Sequence, residues 1–296
     1  VCFAMKVWLP SASARTRSYS NAPDRPPAPE RAKTRTGAGF LPDNTPDWKP
    51  DMTTGPSLPL FFKDPQPVAQ ATHGSVRVRN GDMAFAANSS CGPVTLGEFA
   101  HVCRDYPILF AASTAAPVAL WGLDRDNLFV SGGLWDTRAY IPAYVRRYPF
   151  TTVRLDDDKG FALVVDGGSD RIMQGGDEGV PLFEGDKPSD YTKRLMQFCE
   201  QFHADALGTE AFSRALMEKD VLVERRADIT LADGSKAGVN GFRIVDPKRL
   251  AALDDATILD WHRRNWLPAI HFHLLSLGRF EDLMERSARM KGASAA

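Results

Sequence analysis

Between Val76 and Asp166 the apolar residues fall in short runs separated by turn residues, whereas from Ser189 onward they recur mostly at helical intervals. Strands and helices that alternate along a chain build parallel sheets. Separate blocks of each build an antiparallel sheet with helices gathered to one side. The block order here, with no internal repeat, sets the expected fold class as α+β: an antiparallel sheet of hairpins with a helical C-terminal third packed on it.

Local signals place the elements. "VRVRNGDMAFA" alternates on both sides of Asn80-Gly81, a dipeptide suited to a tight hairpin turn. In "TLGEFAHVCRDY", Thr95 and Glu98 have capping-box spacing, and Phe99, Val102, Cys103 and Tyr106 repeat at helical steps until Pro107 stops the helix. Ile108 to Ala112, Val118 to Leu123 and Leu128 to Ser131 read as a three-strand meander, and "FTTVRL" and "GFALVVD" as a hairpin about "DDDKG". Ser189 caps a helix that turns Tyr191, Leu195, Phe198, Cys199, Phe202 and Ala206 inward and stops at Gly208. A short helix follows with Phe212 and Leu216, then a hairpin about Asp233-Gly234. Asp246-Pro247 opens the helices that run toward residue 288.

Residues 1–55 stand apart. "NAPDRPPAPERAKTRTGAGFLPDNTPDWKPD" is rich in proline and charge, and is expected to be a disordered tail. Met52 precedes the first rise in apolar content, so the native protein is expected to start close to it, with residues 1–51 added by an over-long gene reading. One α+β domain over residues 56–288 and a disordered tail over 289–296 complete the expected organisation. The formal net charge of the 296 residues is -1, and no domain-sized block is strongly basic. The summed attraction that drives nucleic-acid binding is therefore missing. The longest uncharged run, "YPILFAASTAAPVALWGL", is shorter than the roughly 20 apolar residues a membrane helix needs. "VCFAMKVWLPSASA" lacks a charged start and Lys6 interrupts its apolar run, so it is a poor signal peptide.

Cys2, Cys91, Cys103 and Cys199 form no C-x-x-C pair. Cys103 and Cys199 lie on apolar helix faces, which predicts buried thiols and a reducing, cytoplasmic compartment. In "HFH", helical periodicity puts His271 and His273 about 200° apart, on nearly opposite faces, so no metal is expected there. "LDDDKG" brings its glycine too early for an EF-hand. The loop "DGGSDRIMQGGDEG" lacks the lysine-serine ending of a phosphate loop and is acidic, so it reads as a flexible loop, a candidate lid. No G-x-S-x-G elbow occurs. No cofactor or catalytic residue is assigned, and the chain leans away from an enzyme.

The densest aromatic and cationic segment is "DTRAYIPAYVRRYPF". Pro142 suits the first turn of a short helix and Pro149 would stop it, which lines Tyr140, Tyr144 and Tyr148 along one face beside Ile141 and Val145. Two readings stay open. In one, the stripe packs on the sheet while Arg146 and Arg147 face water. In the other, the arginines form a fork that holds a carboxylate or phosphate against the phenol hydroxyls.

Six stretches, "LPLFFKDPQPV", "EFAHVCRDYPILF", "PVALWGLDRDNLFV", "LWDTRAYIPAYVRRYPF", "PLFEGDKPS" and "HFHLLSLGRFEDL", occur in order over about residues 56 to 288. Together they resemble the SapC family, named for proteins linked to bacterial surface layers. The resemblance implies a soluble accessory protein of surface-layer or envelope biogenesis that binds a protein partner. It brings no catalytic residues with it, and any shared function would pass through Trp135, Tyr140, Tyr144, Arg146, Arg147 and Tyr148. The alternative is an enzyme or small-molecule binder that holds an anionic ligand at "YIPAYVRRYPF".

Overall fold

The computed structural model describes residues 58–155, 160–230 and 236–294. The first strands and helices are β1 (Pro65–Pro67), α1 (Gln70–His73), β2 (Val76–Val78), β3 (Cys91–Pro93), α2 (Phe99–Val102), β4 (Ile108–Ala111) and β5 (Pro117–Leu120). A small hairpin, β6 (Val130–Ser131) with β7 (Leu134–Trp135), leads into the single helical turn α3 (Ala143–Arg146) and the hairpin β8 (Phe150–Arg154) and β9 (Phe161–Asp166). Strands β10 (Ile172–Gln174) to β13 (Lys187–Pro188) are short, with β11 at Val180–Pro181 and β12 at Phe183–Glu184. Then come the long helix α4 (Asp190–Glu218), the hairpin β14 (Leu222–Thr230) and β15 (Lys236–Val245), and four helices: α5 (Pro247–Ala251), α6 (Asp255–Arg263), α7 (Trp266–Ser276) and α8 (Arg279–Ser294).

The fold is α+β. A five-stranded sheet has the order β14-β15-β4-β5-β3, and two three-stranded sheets have the orders β1-β9-β8 and β10-β2-β11. Every strand pair among the described residues is antiparallel. Two apolar cores result. The larger gathers Phe99, Tyr106, Phe110 and Trp121 of the central sheet region with Trp261 and Ile270 of the last helices. The smaller gathers Val76, Phe150, Leu163 and Leu182. Helix α4 joins them, with Met196 and Cys199 in the smaller core and Phe212 and Leu216 in the larger.

The caps act as the sequence predicts. Ser189 Oγ accepts from the Thr192 N–H at 3.2 Å, and Asp246 accepts from the Lys248 N–H at 2.8 Å ahead of Pro247. The hairpins β8–β9 and β14–β15 form as expected, although their turns, residues 156–159 and 231–235, lie outside the described residues. So does the proline-rich stretch up to residue 57. Helix α8 continues through the 289–296 stretch as far as Ser294.

Four local expectations are corrected. Gly208 does not end the helix, because α4 runs through it as one element of 29 residues. An interior glycine costs about 1 kcal/mol, whereas fully burying Phe212 and Leu216 beyond it is worth roughly 1.5–3 kcal/mol each. Asn80-Gly81 is not a hairpin turn. The guanidinium side chain of Arg171 crosses Gly81, and a Cβ there would sit 2.5 Å from Arg171 Cγ. The glycine-rich stretch is not a free loop, because β10 and β11 pair with β2 on either side. The third run of the meander leaves the sheet: Val130–Ser131 pairs with Leu134–Trp135 across Gly132 and Gly133, both at positive φ, and β3 takes the place beside β5.

Candidate functional site: the Leu134 hairpin, the 136–148 segment and helix α8

The tyrosine stripe has a different form from the one predicted. Only Ala143–Arg146 is helical, so Tyr140 precedes the turn and Tyr148 follows it. Each phenol has its own acceptor. Tyr148 donates to Asp166 Oδ2 at 2.8 Å and stacks on Phe85 at 4.2 Å. Burial, first, and the Asp166 carboxylate push its hydroxyl up to about 12, although a hydrogen bond with Ser169 acts the other way. Tyr144 lies against Phe61 and Phe202 and donates to the Leu60 carbonyl. Tyr140 is half-buried and donates to Glu98 Oε1 at 3.0 Å.

The two arginines diverge. Arg147 is buried, with its guanidinium 4.2 Å from the Tyr144 ring centroid and 4.6 Å from that of Phe202, and Nη1 donates to Thr151 Oγ1 at 2.8 Å. Its Nε has no partner. The aromatic faces of Tyr144 and of Phe202 on α4 replace water around this cation. Arg146 is exposed. Its Nε donates to the Ile141 carbonyl at 2.9 Å and Nη2 to Tyr140 Oη at 3.0 Å. A chain of hydrogen bonds thus runs from a surface cation through Tyr140 to the buried Glu98. That carboxylate also accepts from Thr95 N–H, Thr95 Oγ1 and Ala143 N–H. Of these two adjacent arginines the structure gives only Arg146 to solvent, so they do not converge on one ligand position.

Trp135 lies on the other side of the segment. Its Nε1–H donates at 3.0 Å to Tyr106 Oη, which in turn donates to the Tyr140 carbonyl at 2.7 Å. Burial drives the Tyr106 hydroxyl far above its ordinary range, so it stays protonated and serves as a fixed strut. This link holds the β6–β7 hairpin against residues 136–140.

Between that hairpin and α8 opens a cleft of about 730 Å³, and a smaller one of about 360 Å³ adjoins it toward Arg104 and Asp105. The two share Phe129, Asp136, Arg138, Arg286 and Arg289. Arg286 anchors the floor. Its guanidinium lies 4.0 Å from the Phe129 ring centroid, and it donates to Asp136 Oδ2 at 2.8 Å and to the Leu128 carbonyl at 3.3 Å. The hydrogen bond from Arg286, followed by the Arg138 backbone N–H, lowers the Asp136 carboxyl to about 2. It is therefore a committed anion rather than a proton donor. The rims are different: Leu134 is 71% exposed on the hairpin and Met290 is 41% exposed on α8.

Sequence reasoning missed this cleft except for Trp135. A partial signal was present, since Arg279, Arg286 and Arg289 recur at steps of seven and three, close to one helical face. Which element that face would meet was not encoded locally. The "HFH" pair behaves as the helix geometry predicts: His273 is fully buried and His271 is exposed. Among the described residues, no group of three or more His, Cys, Asp and Glu side chains is placed to hold a metal ion, and no helix is long and apolar enough to cross a membrane.

A family model described as SapC matches residues 68–283, from just after β1 to Leu283 in α8. No curated protein and no solved structure matches the chain.

Proposed function

The chain belongs to the SapC family, and from that premise we propose that it is an accessory protein of bacterial surface-layer or envelope biogenesis that acts by binding a protein partner. The observation that carries this reading is the open cleft beside the β6–β7 hairpin, where Leu134 and Met290 stand in solvent around a floor whose carboxylate is already engaged by Arg286. Exposed apolar residues grouped with arginines suit partner recognition. The contact surface extends from Leu134 along the segment to Tyr140 and Arg146, while Trp135, Tyr144, Arg147 and Tyr148 hold the hairpin and segment in place from inside. Buried thiols at Cys103 and Cys199 support a cytoplasmic setting.

An anionic small molecule held at residues 140–148 is the second reading. Its support is Arg146, an exposed guanidinium stacked over Tyr140 and Phe198 beside a phenol hydroxyl. Affinity capture from the native host, with mass spectrometry of proteins and small molecules, tests both. Envelope proteins retained by the wild type are the expected result. A stoichiometric anionic metabolite without a protein partner would replace the first reading by the second.

A further inference from the structure

We infer that the cleft between the Leu134 hairpin and α8 is the docking site for an acidic segment of a partner protein that carries a large apolar side chain; this deepens the binding reading above and rests on it. The two adjoining clefts contain five arginines (Arg104, Arg138, Arg279, Arg286, Arg289) against three aspartates (Asp105, Asp136, Asp282). The chain as a whole carries a formal charge of -1, so this local excess of positive charge is a feature of the site and not of the protein. Several of these charges are already spent. Arg286 pairs with Asp136, Arg279 pairs with Asp282 at 2.6 Å, and Asp105 accepts from the Tyr140 N–H at 2.9 Å. Among the described residues Arg104 and Arg289 make no ion pair, and the Arg138 side chain is 87% exposed with a 3.4 Å contact to Asp136. Arg104 and Arg289 are therefore exposed, unpaired cations of the cleft lining, and Arg138 keeps most of its side chain in solvent beside its long contact to Asp136.

The apolar part is held in position. Gly132 and Gly133 form the turn at positive φ, and the Gly133 carbonyl accepts from the Met83 N–H at 2.7 Å. Asp82 packs so close to Gly133 that a Cβ there would meet its carboxylate at 2.7 Å. Leu134 is thus projected by a braced turn, and it lines the same cleft as the exposed Met290. A partner's apolar side chain entering beside them would exclude water, and its neighbouring carboxylates would meet Arg138 and Arg289. Methionine and arginine are both enriched at protein interfaces. The open, half-polar lining does not match an acyl chain, which needs an enclosed apolar cavity. The near-neutral chain lacks the long-range attraction a nucleic acid would use.

The test is selection of a phage-displayed library of random dodecapeptides on the full chain, followed by fluorescence anisotropy of the enriched peptides. Enriched sequences should place Asp or Glu beside Leu, Phe or Met. Their affinity should fall at least about tenfold in Arg138→Glu/Arg289→Glu, fall also in Leu134→Ser, and weaken with added salt. All these side chains are exposed, so unchanged thermal midpoints should confirm that both variants fold. Selection without acidic sequences, or peptides that hold both variants as tightly as the wild type, would overturn the inference. The same arginine variant is carried through the host capture. If it retains the wild-type partners, the cleft is wrong and the binding reading stands; if neither protein retains any partner, the binding reading itself falls.

Discussion

The Nδ1–H of His273 donates to the Ile108 carbonyl at 2.8 Å, and one turn further along α7 the Ser276 hydroxyl oxygen accepts from the Ile108 N–H at 2.9 Å. Both main-chain groups of a central-strand residue are thereby satisfied by one helix. On its other side the His273 ring accepts from the Val245 N–H at 3.1 Å. The imidazole thus ties β4, β15 and α7 together, in its neutral form and with one tautomer.

That arrangement predicts an acid-sensitive core. Burial, opposed by the hydrogen bond to Ile108, lowers the His273 pKa from 6.5 to about 4. A histidine whose folded pKa is depressed contributes stability that is complete above the unfolded value and is lost as pH falls from 6.5 toward 4. The loss should reach about 3 kcal/mol. Urea unfolding between about pH 7 and about pH 4.5 should show the wild type losing stability faster than His273→Gln, which cannot titrate. Parallel curves would remove His273 as the source.

The adjacent arginines should respond oppositely to lysine. Arg147→Lys loses the planar stack on Tyr144 and Phe202 and should cost about 1–2 kcal/mol in denaturant unfolding. Arg146→Lys, at the surface, should stay within about 0.5 kcal/mol of the wild type. Equal effects would contradict the burial of Arg147.

Gly133→Ala should destabilise the hairpin. The position has φ +77°, and the added methyl would meet the Asp82 side chain. A loss of about 1–3 kcal/mol is expected, with faster amide exchange at Met83, whose N–H donates to Gly133. Gly132→Ala has open space around its Cβ and should cost only its backbone strain, so a loss as large as that at Gly133 would argue against the Asp82 contact.

Burial pushes the Cys199 thiol up to about 12, despite the opposing field of Arg147. In the folded protein at about pH 8, iodoacetamide should leave Cys199 unlabelled for hours, since its thiolate fraction is on the order of one part in ten thousand. Mass mapping after unfolding without reductant should find it labelled. Rapid native labelling would show that α4 opens on its smaller-core side.

The elements legible in the sequence are those whose causes lie within a few residues. Ser189 and Asp246 cap helices by reaching two or three residues ahead, Glu98 folds back onto Thr95, and the strand runs of β8 and β9 pair across a short turn. The period of α7 likewise separates His271 from His273. Other outcomes depended on distant partners. Asn80-Gly81 carries a hairpin signature, yet the residue that needs the glycine is Arg171, 90 positions away. Gly208 looks like a stop until Phe212 and Leu216 meet the larger core. Arg146 and Arg147 are chemically identical and adjacent, and only the approach of Phe202 on α4 makes one internal and the other a surface group. The cleft itself rests on Arg286 and Asp136, 150 residues apart. Caps, turns and periodicity act through bonds and neighbours the chain carries with it, so sequence determines them. Burial of a charge and the shape of a surface arise only where separate elements pack, and there the tertiary structure decides.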